Sequence, residues 1–117
     1  MITVVVPTYN ERANLGPLVR DLLALRPDLA ILVVDDNSPD GTGRLADRLV
    51  AETGRVTVLH RPTKAGIGPA YIAGLRTALD GDADRIVCMD ADGSHRPVDL
   101  PLLLAALEGA DLSLIHI

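Results

Sequence analysis

The residues best suited to chemistry lie in four short polar strings. One, Met89-Asp90-Ala91-Asp92-Gly93-Ser94-His95, carries two carboxylates two residues apart at the end of an apolar run. If the backbone stays extended there, a period of two aims both side chains the same way. Like charges held together are costly unless a cation or a shared proton relieves them. A hard divalent ion such as Mg2+ or Mn2+, which takes oxygen ligands and often shares them with substrate phosphates, meets that demand. The same spacing also suits a solvated turn whose aspartates bond nearby amides. A calcium EF-hand does not fit, because its twelfth position falls on Pro101 where a bidentate Glu is required.

The other three strings are more ambiguous. Asp35 and Asp36 follow Val33-Val34, and an acid at such a strand end accepts hydrogen bonds from a ribose or base in many nucleotide-binding α/β folds. An Asx-type start to the next helix accounts for them as well. Pro7-Thr8-Tyr9-Asn10-Glu11 holds no glycine, so it is no dinucleotide fingerprint, and Tyr9 suits either stacking on a base or packing half-buried. Lys64-Ala-Gly-Ile-Gly-Pro-Ala-Tyr71 fails the G-x-G-x-x-G test at Tyr71, yet a turn opening a helix can offer amides to a phosphate, with Lys64 adding charge. Arg61 and Lys64 are either diphosphate contacts or solvated loop charges. Cys88 reads as a small core residue, and His60 and His95 carry no assignment.

The elements that must position these strings alternate. Apolar runs at Ile2–Val6, Ile31–Val34, Val56–Leu59 and Ile86–Met89 predict four strands buried on both faces. Between and after them come stripes of helical period: Leu15, Leu18, Val19, Leu22 and Leu23; Leu45, Ala46, Leu49 and Val50; Tyr71, Gly74, Leu75, Ala78 and Leu79; Leu102, Leu103, Ala106 and Leu107. Asn10 and Asp40 are the expected N-caps, with Gly54 and Gly81 as helix stops. The expected fold is α/β, a doubly wound and mostly parallel sheet. Ligands bind beyond the carboxyl ends of such strands, where all four polar strings fall.

Composition narrows the class. The 117 residues make one domain or part of one. Thirteen Asp and three Glu against ten Arg and one Lys give a net charge of −5. There is no block of like charge, so no nucleic-acid partner is expected. A single cysteine excludes an internal disulfide framework and a Cys-based zinc cluster. No apolar run nears the ~20 residues that span a bilayer, and no signal peptide is expected.

Together, residues 7–11, 33–42, 64–71 and 89–95 resemble the family 2 glycosyltransferases of nucleotide-sugar-binding GT-A fold, within them the dolichol-phosphate (polyprenol-phosphate) mannose synthase branch. The strings agree in order and spacing from Met1 to about Asp111, with Gly93 standing where many members carry leucine. The resemblance implies that Pro7, Tyr9, Asn10, Glu11, Asp35, Asp36 and Lys64 bind the donor, GDP-mannose. It makes Asp90 and Asp92 the metal-binding catalytic pair, with Ser94 a further ligand of Mg2+ or Mn2+. It implies inverting transfer of mannose to a polyprenyl or dolichyl phosphate by an enzyme peripheral to the cytoplasmic face of a membrane. Residues 1–111 are then the donor-binding part of a truncated domain. Leu112–Ile117 translate CTGTCTCTTATACACATC, a string like a transposon end used in library preparation, so 112–117 reads as a non-native tail. A chain of this extent is expected to bind donor weakly without useful transfer.

The rival from another class is a response-regulator receiver domain phosphorylated on Asp90. It expects the acidic pair after the first strand, not the second, and a lysine beyond the phospho-acceptor, whereas Lys64 lies upstream.

Overall fold

The computed structural model describes residues 1–81, 83–92 and 96–106, with the backbone of 113–116. Five strands, β1 (Ile2–Thr8), β2 (Leu29–Asp35), β3 (Val56–His60), β4 (Arg85–Cys88) and β5 (Ser113–His116), form one sheet in the order β3-β2-β1-β4-β5. Every neighbouring pair is parallel. Helices α1 (Arg12–Leu25), α2 (Thr42–Thr53), α3 (Ile67–Leu79) and α4 (Leu100–Ala106) lie between the strands in sequence, and a 3-10 turn, Pro97–Asp99, leads into α4.

Strand alternation builds the two apolar layers. Ile2, Val4 and Val6 of β1, Ile31 and Val33 of β2, and Val87 of β4 face a core shared with Leu15, Val19 and Leu22 of α1, Ala46 and Leu49 of α2, and Leu100 and Leu104 of α4. The intervening residues Val5, Leu32, Val34, Ile86 and Cys88 face Ala70, Tyr71 and Ala78 of α3 on the other side. β1, β2 and β4 are thus buried on both faces, as continuous β-branched runs predict. β3 corrects that expectation. It is an edge strand, and only Val56 in it is buried.

Other local expectations change too. α4 turns Leu100 and Leu104 inward and leaves Leu102 77% exposed, so the Leu102 stripe is out of phase. Leu107 lies outside the described residues. The cap of α1 is Glu11, and Asn10 takes a left-handed φ of 57°. The cap of α2 is Gly41, and Asp40 instead accepts hydrogen bonds from the Thr42 amide and hydroxyl and from the Arg12 amide. The segment read as a tail contributes β5, whose Ser113 to His116 pair in register with Arg85 to Cys88.

The order places a topological switch between β1 and β4: the chain winds outward to β2 and β3, then returns to β1's other side. A receiver domain has the order 2-1-3-4-5, which this sheet does not share. Pairing between β1 and β4 covers only Ile2–Val5 against Arg85–Cys88 and ends with the Met89 amide on the Val5 carbonyl, 3.0 Å. Pro7 stands two residues on, where its missing N–H points to a side no longer paired. Beyond that point β1 and β4 part, and the gap between them is the cleft.

Candidate functional site

The cleft holds about 180 Å³ and is lined by Pro7, Thr8, Tyr9 and Glu11 after β1, Asp36 after β2, Lys64, Gly66 and Ala70 around the start of α3, and Asp90, Ala91 and Asp92 after β4. Five candidate side chains from four separate loops, Tyr9, Asp36, Lys64, Asp90 and Asp92, therefore meet at one edge of the sheet. Glu11 and Pro7 join them. Ser94 and His95 lie outside the described residues.

Asp36 is buried at the cleft's inner end. One oxygen accepts from the Ala65 amide at 3.4 Å, and the other stands 3.5 Å from Arg61 Nη1. That second oxygen has no hydrogen bond, and neither has the facing guanidinium nitrogen. That oxygen is sealed from solvent against Arg61, which lines the neighbouring concavity, so the oxygen left to serve the cleft is the one on the Ala65 amide, with a single long hydrogen bond. Lys64 lies over the Tyr9 ring, its Nζ 4.4 Å from the centroid, a cation–π contact at the rim.

At the other end, Asp90 and Asp92 share the lining, although the chain bends at residues 91–92 instead of continuing the strand. The Tyr71 hydroxyl donates to Asp90 Oδ1. Burial first, then this bond to a carboxylate, pushes the Tyr71 phenol far above its usual range, so it stays a donor at any physiological pH. Burial, with the Asp90 charge second, raises the Cys88 thiol to about 11. The pair offers only hard carboxylate oxygens, which fits Mg2+ or Mn2+ and not a soft metal. Among the described residues no group of three or more His, Cys, Asp or Glu gathers. Two protein carboxylates suit an ion that keeps water and substrate oxygens for the rest of its shell.

Asp35 and Asn10 do not line the cleft. Strand alternation turns Asp35 to the opposite side, where it accepts from the Thr8 hydroxyl (2.7 Å), the Ser38 hydroxyl (2.6 Å) and the Ser38 amide (3.1 Å). The Asn10 amide donates to Ser38 Oγ at 3.0 Å. These bonds tie the loop after β1 to the loop after β2, so both residues stand where they shape the cleft wall from behind. His60 bonds Asp47 at 2.8 Å, away from the cleft.

A match to the family model described as glycosyl transferase family 2 runs over residues 3–116. The chain belongs to that family. It is 52% identical over 113 residues to the polyprenol monophosphomannose synthase of Mycolicibacterium smegmatis, covering 95% of this chain and 43% of the relative. It is 51% identical to the undecaprenyl-phosphate mannosyltransferase of Micrococcus luteus, covering 95% and 46%. The chain thus spans a little under half the length of these curated relatives. Among solved structures it resembles the mannosyltransferase PcManGT from Pyrobaculum calidifontis, crystallised with GDP-Man and Mn2+, at 28% identity and a TM-score of 0.68 over 78% of this chain and 27% of that one. S. aureus TarS 1-349, 22% identical, shares the fold at a TM-score of 0.74 over 92% of this chain and 32% of that one. The α/β GT-A architecture and the membership of glycosyl transferase family 2 read from the sequence both hold.

Arg61, read as a diphosphate contact or a solvated charge, and Tyr71, read as part of a helical stripe, take positions that sequence reasoning did not give them: Arg61 against Asp36 and Tyr71 on Asp90. Arg61 is 25 residues from the Asp36 it faces and Tyr71 is 19 from Asp90, so no local pattern pairs them. The one available signal was Tyr71 itself, a bulky hydroxyl-bearing residue where a phosphate loop would carry glycine.

Proposed function

We propose that this chain is the donor-binding side of an enzyme that transfers mannose from GDP-mannose to a polyprenyl or dolichyl phosphate with inversion. The observation that carries the reading is the meeting of Asp36, Tyr9 and Lys64 with the Asp90–Asp92 pair in a single cleft at the β1/β4 switch point. The names of the two relatives about half identical to the chain, and the GDP-Man and Mn2+ bound by PcManGT, support the choice of sugar, base, ion and acceptor.

Each side chain has a task in that reaction. Asp36 accepts an N–H from the nucleobase on its Ala65-bonded oxygen, which has a lone pair to spare, and Arg61 against the other oxygen limits the cost of keeping that carboxylate buried. Tyr9 gives the base an aromatic face, and Pro7 and Glu11 bound the nucleoside from the β1 side. Asp35, Asn10 and Ser38 fix that wall. Lys64 places a positive charge near the diphosphate. Asp90 and Asp92 hold Mg2+ or Mn2+, with Ser94 a further ligand. The bound ion supplies fixed positive charge to the departing diphosphate. Tyr71 holds Asp90 in the orientation that ligation needs. A phosphate acceptor is already anionic near neutrality, so the reaction has no need of a protein general base. No described helix is long and apolar enough to cross a membrane, which is compatible with an enzyme peripheral to the cytoplasmic face.

Calorimetry of the 117-residue chain with GDP-mannose, with and without Mn2+, tests this. Mn2+-dependent binding that disappears in Asp92→Asn is the expected result. Binding that ignores both Mn2+ and that substitution overturns the assignment.

A further inference from the structure

Beside the cleft lies a second concavity, of about 380 Å³, lined by Arg12, Gly41, Arg44 and Arg48. All three arginines are exposed. A Cβ built on Gly41 would stand 3.6 Å from Arg44 Nη2 and 4.0 Å from Arg12 Cδ, so the two side chains flank the same glycine. None of the three guanidiniums makes a hydrogen bond or an ion pair among the described residues. Two acids lie nearby: Asp40, whose carboxyl is held low by the Thr42 hydrogen bonds and, less strongly, by the Arg12 amide and charge, and Asp47, which lines the adjoining concavity with Arg44 and bonds His60. The positive ends of α1 and α2 converge here too, because the Arg12 amide bonds Asp40 at 3.2 Å and the Glu11 amide bonds Thr42 Oγ1 at 3.0 Å.

A chain of net charge −5 gathers three exposed arginines on one concave face, a local positive charge that Asp40 and Asp47 only partly offset. The placement matters as much as the sign. Glu11 lines the cleft and Arg12, the next residue, lines the arginine concavity, so the two share a rim. Any extended anionic surface seated on the arginines is brought up to the edge of the cleft.

We propose that Arg12, Arg44 and Arg48 form a docking surface for an anionic phospholipid bilayer, which holds the cleft near the membrane. This rests on the reading that the acceptor is a lipid phosphate, since that substrate lies in a bilayer and the cleft must be presented to it. A free phosphate or diphosphate would satisfy the same guanidiniums, but it would leave their position on the cleft rim without purpose.

Co-sedimentation of the 117-residue chain with vesicles tests the proposal. The vesicles are phosphatidylcholine alone, or phosphatidylcholine with about one third phosphatidylglycerol. Each arginine near an anionic surface contributes roughly fivefold to partitioning. Arg44→Gln should therefore weaken binding to the anionic vesicles about fivefold, and the triple variant R12Q/R44Q/R48Q roughly a hundredfold. Binding should also fall steeply between about 0.05 M and about 0.5 M salt. Arg76→Gln, which removes an equal charge from α3 on the opposite face of the sheet, should leave partitioning within about twofold, less than one arginine's share. Circular dichroism confirms that these surface variants stay folded.

Equal binding to both vesicle types, an Arg76→Gln loss as large as that of Arg44→Gln, or complete displacement by millimolar inorganic phosphate overturns the proposal. Because the readout contains no donor, a chain that docks on vesicles but ignores GDP-mannose refutes the functional reading alone. A chain that binds GDP-mannose but not anionic vesicles refutes the docking surface alone.

Discussion

Gly74→Ala is the sharpest test of how α3 is seated. A Cβ at Gly74 would fall 2.4 Å from Val5 Cγ1 and 3.0 Å from Val34 Cγ2. Carbon atoms in contact prefer about 3.5–4.0 Å, so the helix must retreat by about 1 Å or Val5 must leave its rotamer. Val5 is fully buried in a central strand and has nowhere to turn. Overpacking of this kind costs about 1–3 kcal/mol, and the closeness of the approach puts this case at the upper end. Against that, alanine is favoured over glycine inside a helix by about 1 kcal/mol. The clash wins, leaving a net loss of about 2 kcal/mol. With a urea m-value of about 2 kcal/mol/M, the unfolding midpoint falls by about 1 M. The decisive comparison is the same substitution in a Val5→Ala background, where the nearest opposing methyl is gone. There Gly74→Ala should be about neutral, because the 3.0 Å approach to Val34 Cγ2 remains and offsets the helix preference of about 1 kcal/mol. A neutral or stabilising Gly74→Ala in the parent chain, or an equal cost in both backgrounds, refutes the close-packing argument.

Three further outcomes follow from the cleft. Tyr71→Phe keeps the ring but removes a hydrogen bond to a carboxylate, worth about 1.5–3 kcal/mol when the acceptor is charged, so Mn2+ affinity measured by electron paramagnetic resonance with GDP present should drop about tenfold or more. Unchanged Mn2+ affinity would mean that Asp90 needs no support from α3. Cys88 is 3% exposed with its thiol raised to about 11, so iodoacetamide at pH 8 should label it only after denaturant is added. The sign for stability follows: a folded pKa above the unfolded value of about 9 leaves stability intact below pH 9 and erodes it between 9 and 11, which urea titrations at those pH values would read. Lys64→Met should weaken GDP binding about tenfold while leaving guanosine within about twofold, because a charged contact to the diphosphate outweighs an exposed cation–π contact of about 0.5–1 kcal/mol. An equal loss for both ligands, measured by calorimetry, would assign Lys64 to Tyr9 alone.

Much of this arrangement was legible because it is periodic. The β-branched runs of β1, β2 and β4 are apolar on both faces and are buried on both, and the stripes of α1 and α2 have one apolar phase each, which the structure uses. α4 is out of phase because Leu100-Pro-Leu-Leu-Leu-Ala-Ala is apolar all round, so its period selects no face, and burial of Leu100 and Leu104 in the core shared with α1 and α2 decides. β3 reads like a central strand, yet its position at the sheet's edge comes from topology, which no local pattern encodes. At the site, Asp36, Tyr9, Lys64, Asp90 and Asp92 stood out by type and by their place after strands. Asp35 also stood out, and for the same reason, but a period of two separates neighbours by face. It took the structure to show which of the two acids looks into the cleft.

That separation explains why two adjacent aspartates are useful here. A lone buried carboxylate facing a ligand site is free to swing, and its orientation must be fixed by something other than the ligand. Asp35 does this from behind, gathering Thr8, Ser38 and, through Ser38, the Asn10 amide, so that the ends of β1 and β2 move as one body. The Asp36 amide donates to the Thr8 carbonyl, and the Arg61 amide to the Asp35 carbonyl at 2.8 Å, extending the clamp to β3. Asp36 is then left with one weak amide bond and one guanidinium at 3.5 Å. Its charge is tolerated, and the oxygen on the Ala65 amide, not the sealed one against Arg61, keeps a lone pair for the cleft. A base bringing an N–H supplies what the protein withholds, and the binding energy gained is not spent on ordering the loops. On this argument Asp35→Asn harms donor affinity without touching the donor: its single amide oxygen cannot serve both the Ser38 amide on one side and the Thr8 and Ser38 hydroxyls on the other, which loosens the wall on which Asp36 stands.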